Sequence, residues 1–196
     1  LMVGFGTPKN EERAIELYGK AAEMGHVESS YRLGLVYTGD YGFPENPEKS
    51  HHHFKVAADA GMIPAYAFMA QYNFHGYGTE VDREEAFKWF SRSAEAKDPV
   101  SMFMAGYMLE TGTGTERDLE KAYGYYSQAS EEGDGDASFI KARMELQGHG
   151  VEADPAKAMA TMKKASDQGS EEARPLLNEL RKAQNTQFVT IDGSEE

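Results

Sequence analysis

The stretch SHHHFKVAADAG, residues 50–61, decides the fold once four others are laid beside it at intervals of 36 residues. These are AIELYGKAAEMG from Ala14, AFKWFSRSAEAK from Ala86, AYGYYSQASEEG from Ala122 and AMATMKKASDQG from Ala158. The three consecutive histidines fill ordinary columns of this repeat. His53 shares its column with Leu17, Trp89 and Tyr125, which argues against an expression tag. It also argues against a metal site, because ligands on one helix need a spacing of three or four, whereas His51, His52 and His53 splay over about 200°. Trp89, beside the aromatic of its segment, reads as packing by the same column argument.

Fifteen residues into each unit a second segment follows, beginning at Ser29, Ala65, Ser101 and Ala137 and ending in a glycine-bearing turn. Both segments read as helices. In the first, Tyr18, Phe54, Phe90, Tyr126 and Met162 lie four residues after the opening small residue, and Ala21, Ala57, Ser93, Ala129 and Ala165 lie three further on, which makes one helical face. Asn10, Asn46, Asp82, Asp118 and Asp154 stand as N-caps, with Pro47 and Pro155 at the first helical position. Gly25, Gly61, Gly133 and Gly169 stop the first helix, and Gly76/Gly78, Gly112/Gly114 and Gly148/Gly150 close the second. The acidic stretch SEEGDGD at 130–136 reads as a solvated helix end, since it lacks the alternating ligands and closing glutamate of a calcium loop.

The pattern resembles the Sel-1-like repeat family, a cousin of tetratricopeptide repeats. Ser29, Leu33, Gly34 and Tyr37 carry its first half most fully, and Lys121, Ala122, Tyr125, Tyr126 and Ala129 its second. The resemblance spans about residues 4 to 180. Three positions depart from it: Lys97 replaces a stopping glycine, Lys141 the leucine, and Asp40 breaks the first glycine pair. The resemblance implies an all-α fold, a right-handed α/α superhelix or solenoid of antiparallel helix pairs with a 36-residue repeat. It is expected over residues 1–184, with a C-terminal tail at 185–196. Gly4 and Gly6 fall 36 residues before Asp40 and Gly42, so a truncated first unit is expected. The resemblance further implies a protein-protein interaction scaffold or adaptor that binds a protein or peptide partner in the concave groove. Bacterial members of such a family are often exported, which tilts the expected compartment towards the periplasm or secretion.

Composition narrows the alternatives. Acidic residues number 33 against 20 basic ones, a net charge of −13 that repels phosphate backbones and anionic lipid, so neither nucleic acid nor membrane insertion is expected. With no cysteine there is no disulfide framework and no Cys-based zinc site or nucleophile. No Gly-x-Ser-x-Gly, His-Glu-x-x-His or phosphate-cradling loop is present, and no enzyme, cofactor or metal is expected. Two rival readings stand beside the scaffold: an adaptor gripping a basic partner through an acidic convex surface, and a hydrolase-type enzyme.

The candidate binding residues lie on the second helix of each unit. Its opening small residue and the positions four and seven or eight later form the inward stripe, so positions two, six and nine later point the other way. That face carries Tyr31 and Leu35, then Gln71 and Phe74, then Phe103, Tyr107 and Glu110, then Phe139, Arg143 and Leu146. An apolar stripe rimmed by polar groups is the look of an interaction surface. The competing reading packs these rings against the adjacent unit.

Overall fold

The computed structural model describes residues 8–180, with side chains from residue 12. Nine helices follow one another, α1 (Pro8–Glu23), α2 (Val27–Val36), α3 (Pro47–Asp59), α4 (Ile63–His75), α5 (Arg83–Glu95), α6 (Pro99–Thr111), α7 (Leu119–Glu131), α8 (Gly135–Gln147) and α9 (Pro155–Asp167). Residues 173–180 are helical as well, and no strand occurs among the described residues. The chain divides after Ala96 into two compact units, the first holding α1 to α5 and the second beginning with α6. The tail at 185–196 lies outside the described residues, as do Gly4 and Gly6.

The helix starts follow the capping chemistry. Asn46, Asp82, Asp118 and Asp154 each accept the backbone N–H three residues on, at 2.9–3.0 Å, which satisfies a donor that the first turn would leave orphaned. The same four residues donate their own backbone N–H to the carbonyls of Tyr37, Asn73, Leu109 and Glu145, so every odd-numbered helix from α3 starts tied to the end of the helix before it. Asn10 departs from the column: α1 begins at Pro8, whose fixed φ suits a first helical position, and Asn10 lies inside the helix. Asp134, within the acidic stretch, is the N-cap of α8.

Within their units, α2, α4 and α8 pack more extensively on the helix after them than on the one before, and α6 packs on α7. The steric basis is a ring seated on a residue without a side chain. Phe54 of α3 is fully buried over Gly34 of α2, where an added Cβ would come within 2.7 Å of the ring. Tyr126 of α7 lies over Gly106 of α6 in the same way, at 3.1 Å. In α8 and α9 the pair becomes Ala142 and Met162, in one core cluster with Ala165, Ala173 and Leu177. Burying one such ring stabilises by roughly 1.5–3 kcal/mol. Ser50 adds a polar tie, donating to the Gly34 carbonyl at 2.8 Å and meeting the Tyr72 hydroxyl at 2.9 Å.

The departures have local consequences. Lys97 takes φ 66°, alone among the described non-glycine residues in the left-handed region, because the chain must turn there as it does at Gly61 and Gly133. Asp40, in the column of the capping Gly76, leaves α2 without a left-handed cap; α2 ends at Val36, and Thr38 Oγ donates to the Leu35 carbonyl instead. Lys141 is sheathed by its neighbours, with 17% of its side chain exposed, beside Glu145 on the next turn.

Two substitutions test this account of the turns. A Cβ on Gly78 would sit 2.1 Å from the Pro47 carbonyl oxygen at φ +65°, and backbone cannot step aside. Gly78→Ala should therefore cost on the order of 2 kcal/mol or more, and Lys97→Gly should stabilise by about 1 kcal/mol. Urea unfolding of both variants measures this; equal midpoints for all three proteins would contradict it.

Candidate interaction surfaces

The inward stripe is buried as its spacing requires, with Leu33, Val36, Met69, Tyr72, Ala105, Met108 and Met144 all below a tenth exposed. Of the ten candidate residues on the other columns, only Tyr107 and Arg143 are exposed; the rest are half-buried. Tyr31 packs edge-on against Phe54 and Phe68 of the first unit, at 5.7 and 6.2 Å. Phe74 meets Phe90 at 6.2 Å and lies under the Arg83 guanidinium. Leu35 and Gln71 are half-buried on the same helices. The cause is that α2, α4 and α8 are each clasped by the helices before and after them, so more than one face of their circumference is in contact, while on α6 the Phe103 ring packs against Tyr126 of α7.

In the second unit two of the candidates, Phe103 and Glu110, contact Tyr126. It donates to Glu110 at 2.8 Å, while Phe103 packs on its ring at 5.5 Å. Burial first, then the Glu110 bond and the nearby Glu110 and Tyr107, push this phenol's pKa up, and the Arg143 charge opposes them. Tyr107, Glu110 and Arg143 thus share one neighbourhood, with Arg143 also over the Phe139 ring at 5.9 Å. Arg143 makes no ion pair among the described residues. Leu146 is half-buried near the end of α8.

A concavity that the column reading did not single out opens in the first unit. It is a cleft of about 480 Å³ between α1 and α3, floored by α2. The repeat explains it. One period later, between α3 and α5, the corresponding space is filled: Trp89, 2% exposed, packs on Tyr66 at 5.5 Å with the Arg92 guanidinium over the indole. Subtracting 36 puts Ser30 where Tyr66 stands, His53 where Trp89 stands and Gly19 where Lys55 stands, and all three smaller residues line the cleft. The signal was present in these columns, but it shows only when columns of consecutive repeats are compared by volume.

In the second unit the corresponding place, between α7 and α9, is filled by a polar network. Ser138 and Thr161 stand in the ring columns. Glu145 is fully buried, accepts from Tyr123 at 2.8 Å and has Lys157 and Lys141 ammonium groups at 3.4 and 3.8 Å. Nearby, the Ser138 hydroxyl meets that of Ser130, Gln168 donates to the Ser130 carbonyl and Lys164 to its hydroxyl. The (i, i+4) spacing of Lys141 and Glu145 was the visible sign that the lysine in a leucine column had a partner.

The histidines divide in role. His52 is exposed, His51 stacks on Tyr72 at 6.3 Å, and His53 lies flat on Tyr37 at 5.7 Å and 9°. No group of three or more His, Asp or Glu side chains converges to hold a metal among the described residues. Burial first, then the neighbouring His52 and Lys49 charges, lower the His53 pKa from 6.5 to about 4. The unfolded chain therefore binds a proton that the folded one refuses between these limits, and stability falls as pH drops through that window. His53→Phe, which keeps the stack on Tyr37, should lose less stability than the parent between pH 6.5 and about 4 in urea unfolding. Identical pH dependence in the two proteins would contradict the assignment.

Comparison with known proteins places these features. The Sel1 repeat pattern matches five stretches, residues 1–26, 27–62, 63–98, 99–134 and 142–170. From residue 27 to 134 its boundaries pair each even-numbered helix with the following odd one, as the packing does, and the last match joins the second half of α8 to α9. A solved structure of c5321, a protective antigen of uropathogenic Escherichia coli with an SLR fold, aligns with 90% of this chain at 28% identity and a TM-score of 0.80. The chain spans 38% of that protein's length. A Sel1 repeat protein from Oxalobacter formigenes aligns with 88% of the chain, covering 71% of its own length, at 29% identity and a TM-score of 0.76. No curated protein matches the chain significantly. Sel1 repeat proteins are generally non-catalytic scaffolds for protein interaction, and no helix among the described residues is long and apolar enough to cross a membrane. With helix pairs recurring every 36 residues and this pattern covering most of the sequence, the chain belongs to the Sel1 repeat family and to its all-α solenoid fold class.

Proposed function

We propose that this chain is a protein-binding scaffold that holds a peptide segment of its partner on the α6 and α8 face of its second unit. The observation that carries the reading is the grouping of candidates around Tyr126. Tyr107 stands 40% exposed one turn on from half-buried Phe103, with Glu110 and Arg143 near the Tyr126 hydroxyl supplying one charge of each sign. A rigid exposed tyrosine beside an arginine is the composition of an energetic hot spot. The buried phenol beneath serves as a platform: its bond to Glu110 holds that carboxylate, and Arg143 keeps its donors for a carbonyl or carboxylate of the ligand. Tyr31, Leu35, Gln71 and Phe74 form the counterpart face of the first unit, more deeply packed and so offering less area.

Panning a displayed peptide library against the chain and then against Tyr107→Ala/Arg143→Ala tests the reading. Both side chains are exposed, so helicity should stay unchanged while the recovered peptides lose about 2 kcal/mol of affinity or more. Peptides that bind parent and folded variant alike would overturn it. Phe103 is unsuitable for this test because its ring supports Tyr126 and its loss would disturb packing.

A further inference from the structure

The cleft between α1 and α3 has its own template within the molecule. One repeat on, the same place holds an indole, Trp89, packed on Tyr66, and its rim carries Glu85 paired with Lys88 at 3.0 Å. At the cleft every one of these groups is exchanged. Ser30 and His53 stand for the two rings, and Lys49 and His52 stand for Glu85 and Lys88. The α3 rim has therefore lost its carboxylate, carries its amine at that position instead, and has an imidazole where the template has the amine. Lys49 makes no ion pair among the described residues, and its ammonium instead lies 5.2 Å over the Tyr37 ring. Ile15, Ala22, Leu33 and Val56 give the cleft apolar walls, and the stacked Tyr37 and His53 give it an aromatic one. An added Cβ on Gly19 would meet nothing within 4 Å, so the α1 wall is open to a guest. The volume, about 480 Å³, falls in the usual range for ligand sites, roughly 300–1,000 Å³.

We infer that this cleft receives a tryptophan side chain of a partner protein, presented beside an acidic residue whose carboxylate meets Lys49 and His52. The partner thereby supplies in trans the two groups, indole and carboxylate, that the next repeat supplies in cis through Trp89 and Glu85. Apolar walls desolvate the ring, and Lys49, which makes no ion pair among the described residues, selects the acid, in a chain whose net charge of −13 otherwise repels acidic segments. Glu23 on the α1 side sets the orientation, since it repels the carboxylate and leaves the α3 rim as its place. The inference rests on the scaffold reading, but it concerns a different unit and is read out there, so the two fail separately.

The test is amide-resolved NMR with the peptide acetyl-Glu-Ala-Trp-Glu-amide, the same peptide with Trp→Ala, and free indole-3-acetate. The tryptophan peptide should shift the amides of Gly19, Ser30 and Val56 and bind on the order of tenfold or more tightly than the alanine peptide. Ser30→Tyr/His53→Trp, which installs the residues of the next repeat, should abolish those shifts while the protein remains helical. Gly19→Lys, with the residue found at position 55, gives the same reading should the double variant fail to fold. Equal binding of the two peptides overturns the inference, as does unchanged binding to a filled, folded variant. Tighter binding of free indole-3-acetate than of the tryptophan peptide would overturn a protein side chain as the occupant.

Discussion

The seat that an even-numbered helix offers to the ring of the following helix is the constraint from which the rest of the molecule follows. Gly34 and Gly106 have no Cβ because Phe54 and Tyr126 occupy the space one would need. That close approach brings the N-cap of the second helix within reach of the carbonyl at the end of the first, and four N–H to carbonyl bonds repeat at 2.8–3.0 Å. It also fixes the seven-residue turns from Gly76 to Asp82, Gly112 to Asp118 and Gly148 to Asp154, whose glycines take positive φ. Solenoid stability is a sum of such nearest-neighbour terms. Each seam can therefore vary chemically without disturbing the next.

That independence is where function finds room. The space beside the seam, between successive odd-numbered helices, is solved in three ways by one chain. Between α3 and α5 a tryptophan and a tyrosine fill it. Between α7 and α9 a buried glutamate, two lysines and a tyrosine do so, with one carboxylate oxygen of Glu145 left without a hydrogen-bond partner. Between α1 and α3 it stands open as a cleft. The seams keep a buried large side chain of the odd-numbered helix, Phe54, Phe90, Tyr126 or Met162, whichever filling stands beside them, so a repeat protein can trade packing for recognition at one position and keep its fold.

The architecture was legible in the sequence because it rests on residue types with little alternative. A glycine every 36 residues with φ positive, an Asn or Asp ahead of α3, α5, α7 and α9, and small residues opposite rings leave few other folds. The surfaces were less legible. A helical wheel assigns Tyr31, Phe74, Phe103 and Phe139 to the side away from the stripe, yet packing on neighbouring helices of the same unit half-buries them. Glu145 shows the opposite limit: its column holds Tyr37, Asn73 and Leu109, and the Tyr123 hydroxyl with the neighbouring lysines explains a carboxylate with no exposed surface there. Tyr107 and Arg143 are exposed, as the spacing alone required. The cleft escaped column reading because it consists of volume that three smaller side chains fail to fill.

The central claim, that glycine and ring form one coupled seat, is tested most directly by a double-mutant cycle on Gly34→Ala and Phe54→Leu in urea unfolding. Gly34→Ala alone should cost about 1–3 kcal/mol by overpacking. In the Phe54→Leu background the same alanine should cost at least about 1 kcal/mol less, because the ring atoms it would strike are gone. Additivity of the two substitutions within about 0.5 kcal/mol would mean that the two positions do not sense each other, and would contradict the account.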